Sequence, residues 1–171
     1  MKLVIIGNSG SGKTWLASRL AERHQAALIH LDHLFWQQGG FRAPRPAEEV
    51  DGMISAALSQ SGWIAEGVFG DLAARFLPQA DALIWLDADW TLCRARLQTR
   101  LAAQALHMGR PQDEASAKAL LSWAENYGVR RGHCSHSGHL ALYEGFAGHK
   151  RRLASPDQVN ALAAAGLQLQ G

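Results

Sequence analysis

The residues best suited to chemistry stand near the start of the chain, in the stretch GNSGSGKT over positions 7–14. Gly7, Gly12, Lys13 and Thr14 satisfy the spacing G-x-x-x-x-G-K-[ST]. Several successive backbone N–H groups can converge on one anion only where side chains keep out of the way, and glycines permit that. The lysine supplies a cation for β- and γ-phosphates, and the threonine hydroxyl a ligand for Mg²⁺. Gly7, Asn8, Ser9, Gly10, Ser11, Gly12, Lys13 and Thr14 are therefore expected to hold ATP, with Mg²⁺ as its companion.

Such a loop works only if it is placed. KLVII (2–6) reads as a short buried strand. KTWLASRLAERH (13–24) puts Leu16, Ala17, Leu20 and Ala21 on one face of a helix, with Arg19, Glu22 and Arg23 off it. Strand, glycine loop, helix is the arrangement this phosphate loop requires.

Further apolar runs follow at 27–31, 62–67, 81–87 and, more weakly, 149–155. Helix-period segments lie at 47–60, 71–77, 89–106, 113–129 and 156–165, and prolines make 41–46 a loop. The alternation predicts an α/β, three-layer fold: a five-stranded parallel sheet with helices on both faces. No repeat or domain-sized break interrupts it, so 1–171 reads as one domain.

Three other groups could carry chemistry. Glu66 ends the third strand, and a carboxylate beside the phosphate loop can hold Mg²⁺ together with Thr14. Arg96 and Arg100 are spaced i, i+4 on the helix after Asp87 and share a face. Asp32 follows the second strand, where it can cap a helix over HLFW, and a carboxylate at a strand end is also of a type that can do acid–base work.

The chain resembles adenylate kinase and its small P-loop relatives over nearly its whole length. It is most similar to the bacterial family labelled "DNA topology modulation protein". The resemblance rests on HLDHLFW (30–36), WIAEGVFG (63–70), ADALIWLD (80–87) and CRARLQTR (93–100). It implies that Arg96 covers the base, that Arg100 meets the transferring phosphate, and that LASPDQV (153–159) cups the adenine. It also implies a short helical lid over about 105–137, with Arg110, Arg130 and Arg131 as candidate closing cations; Arg131 is taken as catalytic beside Lys13, Asp32 and Arg100. In shikimate- and gluconate-type kinases an Asp at the place of Asp32 orients an acceptor hydroxyl. Nucleotide kinases use arginines for an acceptor phosphate, for which Arg42, Arg45 and Arg75 are available here. A small-molecule or nucleotide acceptor follows, and the chain does not name it.

Composition sets limits. A net charge of +2 over 171 residues argues against a nucleic-acid or membrane-surface partner. Leu3 to Ile6 is too short for a leader segment, so a cytoplasmic protein, monomeric or homodimeric, is expected. Cys93 and Cys134 form no CxxC pair. HCSHSGH (133–139) matches no structural zinc spacing and reads as a polar lid edge. The alternative reading is a nucleotide-dependent regulatory or DNA-associated protein, supported by the basic stretches 94–100, 130–131 and 150–152.

Overall fold

The computed structural model describes residues 1–37, 43–108 and 114–168. Five parallel strands form one sheet: β1 (Lys2–Gly7), β2 (Ala27–His30), β3 (Trp63–Gly67), β4 (Ala82–Leu86) and β5 (His149–Leu153), in the order β2-β3-β1-β4-β5. The helices are α1 (Lys13–His24), α2 (Leu31–Phe35), α3 (Ala47–Leu58), α4 (Gly70–Phe76), α5 (Trp90–Met108), α6 (Glu114–Glu125), α7 (His136–Gly145) and α8 (Pro156–Ala165). The predicted α/β architecture is therefore present.

Side-chain alternation along the strands divides the core in two. Leu3 and Ile5 of β1 pack with Leu16 and Leu20 of α1 and Val159 and Leu162 of α8. Val4 and Ile6 face the other way, toward Leu34, Ile54, Leu72 and Phe76 of α2, α3 and α4. Leu16 and Leu20 are fully buried, each worth about 2 kcal/mol of apolar burial.

Strand order reverses direction at β1: the chain goes first to β3 and β2 on one side, then to β4 and β5 on the other. Such a switch point opens a crevice at the carboxyl ends of the strands. The phosphate loop after Gly7 occupies it.

Two short helices depart from the sequence reading. Leu31 was expected to extend the second strand, but it begins α2. HCSHSGH was expected at a polar lid edge, yet Ser135 caps α7 by accepting a hydrogen bond from the Gly138 N–H, and Ser135 and His139 are both fully buried. No helix among the described residues is long and apolar enough to cross a membrane.

Candidate functional site

The phosphate loop is held open by backbone geometry. Gly10 adopts φ 80°, and a Cβ there would stand 2.5 Å from the Cys93 carbonyl of α5. Gly7 is as tight: its Cβ would meet the Leu86 carbonyl at 2.5 Å. Only glycine lets the loop lie this close to β4 and α5. The first intrahelical bond of α1 runs from the Leu16 N–H to the Gly12 carbonyl, 3.0 Å. The N–H groups of Lys13, Thr14 and Trp15 thus have no partner within the helix and suit an anion.

Lys13 is 8% exposed, and its Nζ donates to the Asn8 carbonyl at 2.8 Å, across the loop. Burial lowers its pKa, partly opposed by Glu66 and Asp32. Asn8 is itself fixed, donating from its side chain to the Ala124 carbonyl at 2.9 Å. The end of α6 is thereby tied to the phosphate loop.

Alternation along β3 explains the next contact. Ile64 packs on the α1 face of the sheet, and Glu66, two residues on, points the same way. Thr14 at the start of α1 donates from Oγ1 to Glu66 Oε1 at 3.0 Å. His30 pairs with Glu66 in the β2–β3 register, and its Nδ1 lies 2.6 Å from the same oxygen. Burial pushes the Glu66 carboxyl up, but His30, Lys13 and Thr14 together hold it below the usual carboxylate range. The hydrogen bond to Glu66 raises the His30 pKa. The involvement of His30 was not foreseen, because only the strand register reveals it.

Asp32 lies in the first turn of α2 and does not cap it; His30 occupies the cap position. Burial raises the Asp32 pKa, with Glu66 adding to the rise, while Lys13, His33 and Arg100 oppose it. Arg100 is exposed on α5, and its charge reaches both Lys13 and Asp32. Lys13, Thr14, Asp32 and Glu66 are thus gathered round one crevice, with the Arg100 charge acting on Lys13 and Asp32 from α5.

Arg96 lies elsewhere on that rim: its Nη1 donates to the Ser11 carbonyl at 3.0 Å. Asp87, which marked the arginine spacing in the sequence, binds Arg152 of β5 through Nε at 2.9 Å and also meets His136 at 3.3 Å. In the 153–159 loop, the Ala154 and Ser155 N–H groups both donate to Gln158 in the α8 capping box.

The other arginines are mostly engaged. Arg130 lies over the Trp123 ring, 3.6 Å from its centroid, and donates to the Cys134 carbonyl. Arg45 pairs with Glu49 and donates to the His33 carbonyl; Arg75 pairs with Asp51 at 2.8 Å. Arg131 is exposed on the turn before α7 and is not among the main charges acting on Lys13, Asp32 or Glu66. Arg42 and Arg110 lie outside the described residues.

The donor set fits MgATP. Thr14 and Glu66 offer adjacent hard oxygens, and the Ser11 hydroxyl is buried in the loop with no hydrogen-bond partner among the described residues. A family model described as an AAA domain matches residues 3–111. The chain belongs to that family. It is a P-loop, kinase-like family. A cytidylate kinase of Methanoculleus marisnigri is 37% identical over 107 residues, covering 56% of the AAA-domain chain and 59% of the relative's length. A gluconokinase structure from Sinorhizobium meliloti 1021 superposes with TM-score 0.52 at 15% identity, over 96% of this chain and 90% of that one. A candidate kinase from Chloroflexus aurantiacus j-10-fl gives TM-score 0.55 at 18% identity, over 99% and 98%. These structures speak for the fold alone. None of the three carries the DNA-topology label.

Proposed function

We propose that the protein transfers the γ-phosphoryl group of MgATP to a small-molecule or nucleotide acceptor. The observation that carries the reading is the gathering of Lys13, Thr14, Glu66 and Asp32 at the mouth of a glycine loop. Phosphoryl transfer asks little covalent chemistry of a protein and much positioning of charge.

The loop N–H groups, the Ser11 hydroxyl and Lys13 would bind the phosphate oxygens. Thr14 and Glu66 would hold Mg²⁺, which neutralises charge on those oxygens when bound. Glu66 stays ionised for this because His30, Lys13 and Thr14 outweigh its burial. Asp32 would orient the acceptor oxygen. With a hydroxyl acceptor, that oxygen bonds to the γ-phosphorus, the bond to the β–γ bridging oxygen breaks, and the hydroxyl proton passes to Asp32. A carboxylate with a raised pKa is the better base for that step. Arg100 would meet the equatorial oxygens.

We place the site in one domain; within the expected lid, Ala124 and Tyr127 are buried and bonded to Asn8 and Trp85, so this part forms a fixed wall of the site rather than a closing cover. The cytidylate kinase relative favours a nucleotide acceptor. Arg45 and Arg75 would meet an acceptor phosphate only by leaving Glu49 and Asp51, with which they pair at the surface. Against the DNA-associated alternative weighs the use of the basic stretches elsewhere: Arg96 on Ser11, Arg130 on Trp123, Lys150 on three carbonyls closing α7, and Arg152 on Asp87.

The test is ADP release from MgATP with nucleoside monophosphates, nucleosides, sugars, small hydroxy acids or water alone, with and without EDTA. Stimulation by one acceptor class, lost in EDTA, is expected. No stimulation by any class, with DNA affinity that falls steeply with salt, would favour the alternative.

A further inference from the structure

Trp15 follows the metal-side hydroxyl of Thr14 directly and is 44% exposed. Large apolar side chains at a rim are informative when something holds them there. Here Arg19, one turn on, lies over the Trp15 ring with its guanidinium carbon 5.0 Å from the centroid. The cation covers one face of the indole and leaves the ring partly open to solvent.

The direction of the helix decides what the ring can meet. Thr14 turns toward Glu66, on the β3 and β2 side of the loop. Trp15 is about 100° further round α1. It begins the row Trp15, Arg19, Arg23 along α1, and Arg23 donates to the Ala164 carbonyl of α8, the helix after β5, at 2.8 Å. Arg96 Nη1 stands 3.2 Å from where a Cβ on Gly12 would be. Arg96 comes from α5, which follows β4, across β1 from Glu66 and Asp32. The Arg96 guanidinium and the Trp15 indole therefore border the same side of the loop, opposite the acceptor carboxylate. A triphosphate with its last phosphoryl group at Lys13 and Asp32 would carry its nucleoside along this side.

We propose that Trp15 is the stacking platform for the flat heteroaromatic base of the nucleotide, with Arg96 as the opposing edge of the slot and Arg19 backing the ring. The inference rests on the phosphate-site reading above and adds to it the group that distinguishes a nucleotide from bare polyphosphate. Stacking is tolerant of base identity, since every base presents a π-face. The contact gives affinity and positioning without choosing adenine over guanine.

Calorimetric affinities for MgATP, MgGTP and magnesium tripolyphosphate should be compared in the wild type, Trp15→Phe and Trp15→Ala. Melting curves confirm folding, which an exposed side chain permits. Trp15→Ala should weaken ATP and GTP alike, by on the order of 5- to 100-fold. Tripolyphosphate affinity should not change, and Trp15→Phe should keep most of the nucleotide affinity. Equal losses for nucleotide and tripolyphosphate would make the ring a mere support of the loop and overturn the proposal. So would an alanine variant that binds ATP like the wild type. A wild type that binds tripolyphosphate as tightly as ATP would overturn stacking while leaving the phosphate site standing. One that binds neither would overturn both.

Discussion

Tyr127 and His139, twelve residues apart, share a buried hydrogen bond of 2.7 Å between the phenol oxygen and Nδ1. The Trp85 indole N–H donates to the same phenol at 3.2 Å, and His139 Nε2 lies 3.0 Å from the Val68 carbonyl. The carbonyl can only accept, so Nε2 carries the proton and Nδ1 accepts from the phenol. All directions in the chain are fixed. It joins β4, the 3₁₀ turn after α6 and α7 to the backbone two residues beyond Glu66.

Burial holds the His139 pKa down at about 4. An unfolded histidine takes up its proton near 6.5, so between those values the unfolded state binds more protons. The contribution to stability is whole above pH 6.5 and is lost as pH falls toward 4, on the order of 3 kcal/mol. Melting temperatures from pH 8 to pH 5 should therefore drop on the acid side. His139→Gln keeps a donor for Val68 and an acceptor for Tyr127, and should flatten that drop by one proton. An unchanged slope would show that His139 is not held neutral.

His30 acts in the opposite window. Its hydrogen bond to Glu66 raises its pKa above 6.5. Its contribution is complete below 6.5 and is lost as pH rises through the raised folded value. Without added metal, wild-type melting temperature should decline on the alkaline side, and His30→Ala should remove that decline. Equal alkaline slopes in the two proteins would count against the pair.

The extent to which these features could be read from the sequence follows from distance along the chain. Gly7 to Thr14 was legible because strand, loop and helix are contiguous, and Leu16 and Leu20 announce their own periodicity. Leu31–Phe35 was legible only in part: a helix over HLFW was one reading of Asp32, but five residues are too few to show a period that fixes where it starts. HSGHLALYEG carries two glycines and two histidines and has no strong local claim to be a helix. Its fold comes from His139 meeting Tyr127 and Val68, the latter 71 residues away. Glu66 was legible as a strand-end carboxylate, but His30 needed the β2–β3 register. Asp87 gave a spacing for Arg96 and Arg100, while its partners Arg152 and His136 are distant in sequence.

Lys13→Ala should test the phosphate site most directly. A hydrogen bond to a charged group is worth roughly 1.5–3 kcal/mol, so ATP affinity should fall at least about tenfold. Calorimetry showing unchanged affinity in a folded variant would remove the loop from the nucleotide site.

Asp32→Asn keeps the size of the side chain and removes its charge. ATP affinity should hold, and turnover with the true acceptor should fall by on the order of 10²–10⁴. Normal turnover in the variant would leave Asp32 with only a local role in α2.

Arg96 and Arg100 share a helix face but make different contacts, and their variants should therefore differ. Arg96 donates to the Ser11 carbonyl, at the loop itself. The charge of Arg100 bears on Lys13 and Asp32, where the transferred group would lie. A transferring phosphoryl group spreads its charge over its equatorial oxygens, and its stabilisation is almost wholly electrostatic. A cation that meets this charge mainly in the transition state lowers the barrier without tightening ground-state binding. Arg100→Ala should therefore reduce kcat by on the order of 10²–10⁴, with ATP affinity little changed. Arg100→Lys should restore part of the loss, since lysine keeps the charge without the two-pronged fork. Arg96→Ala should instead weaken nucleotide binding. Steady-state rates and nucleotide affinities for the three variants make the comparison. If both alanine variants lose binding equally while kcat holds, the two arginines are one generic basic face, and phosphoryl transfer loses its main support beyond the glycine loop.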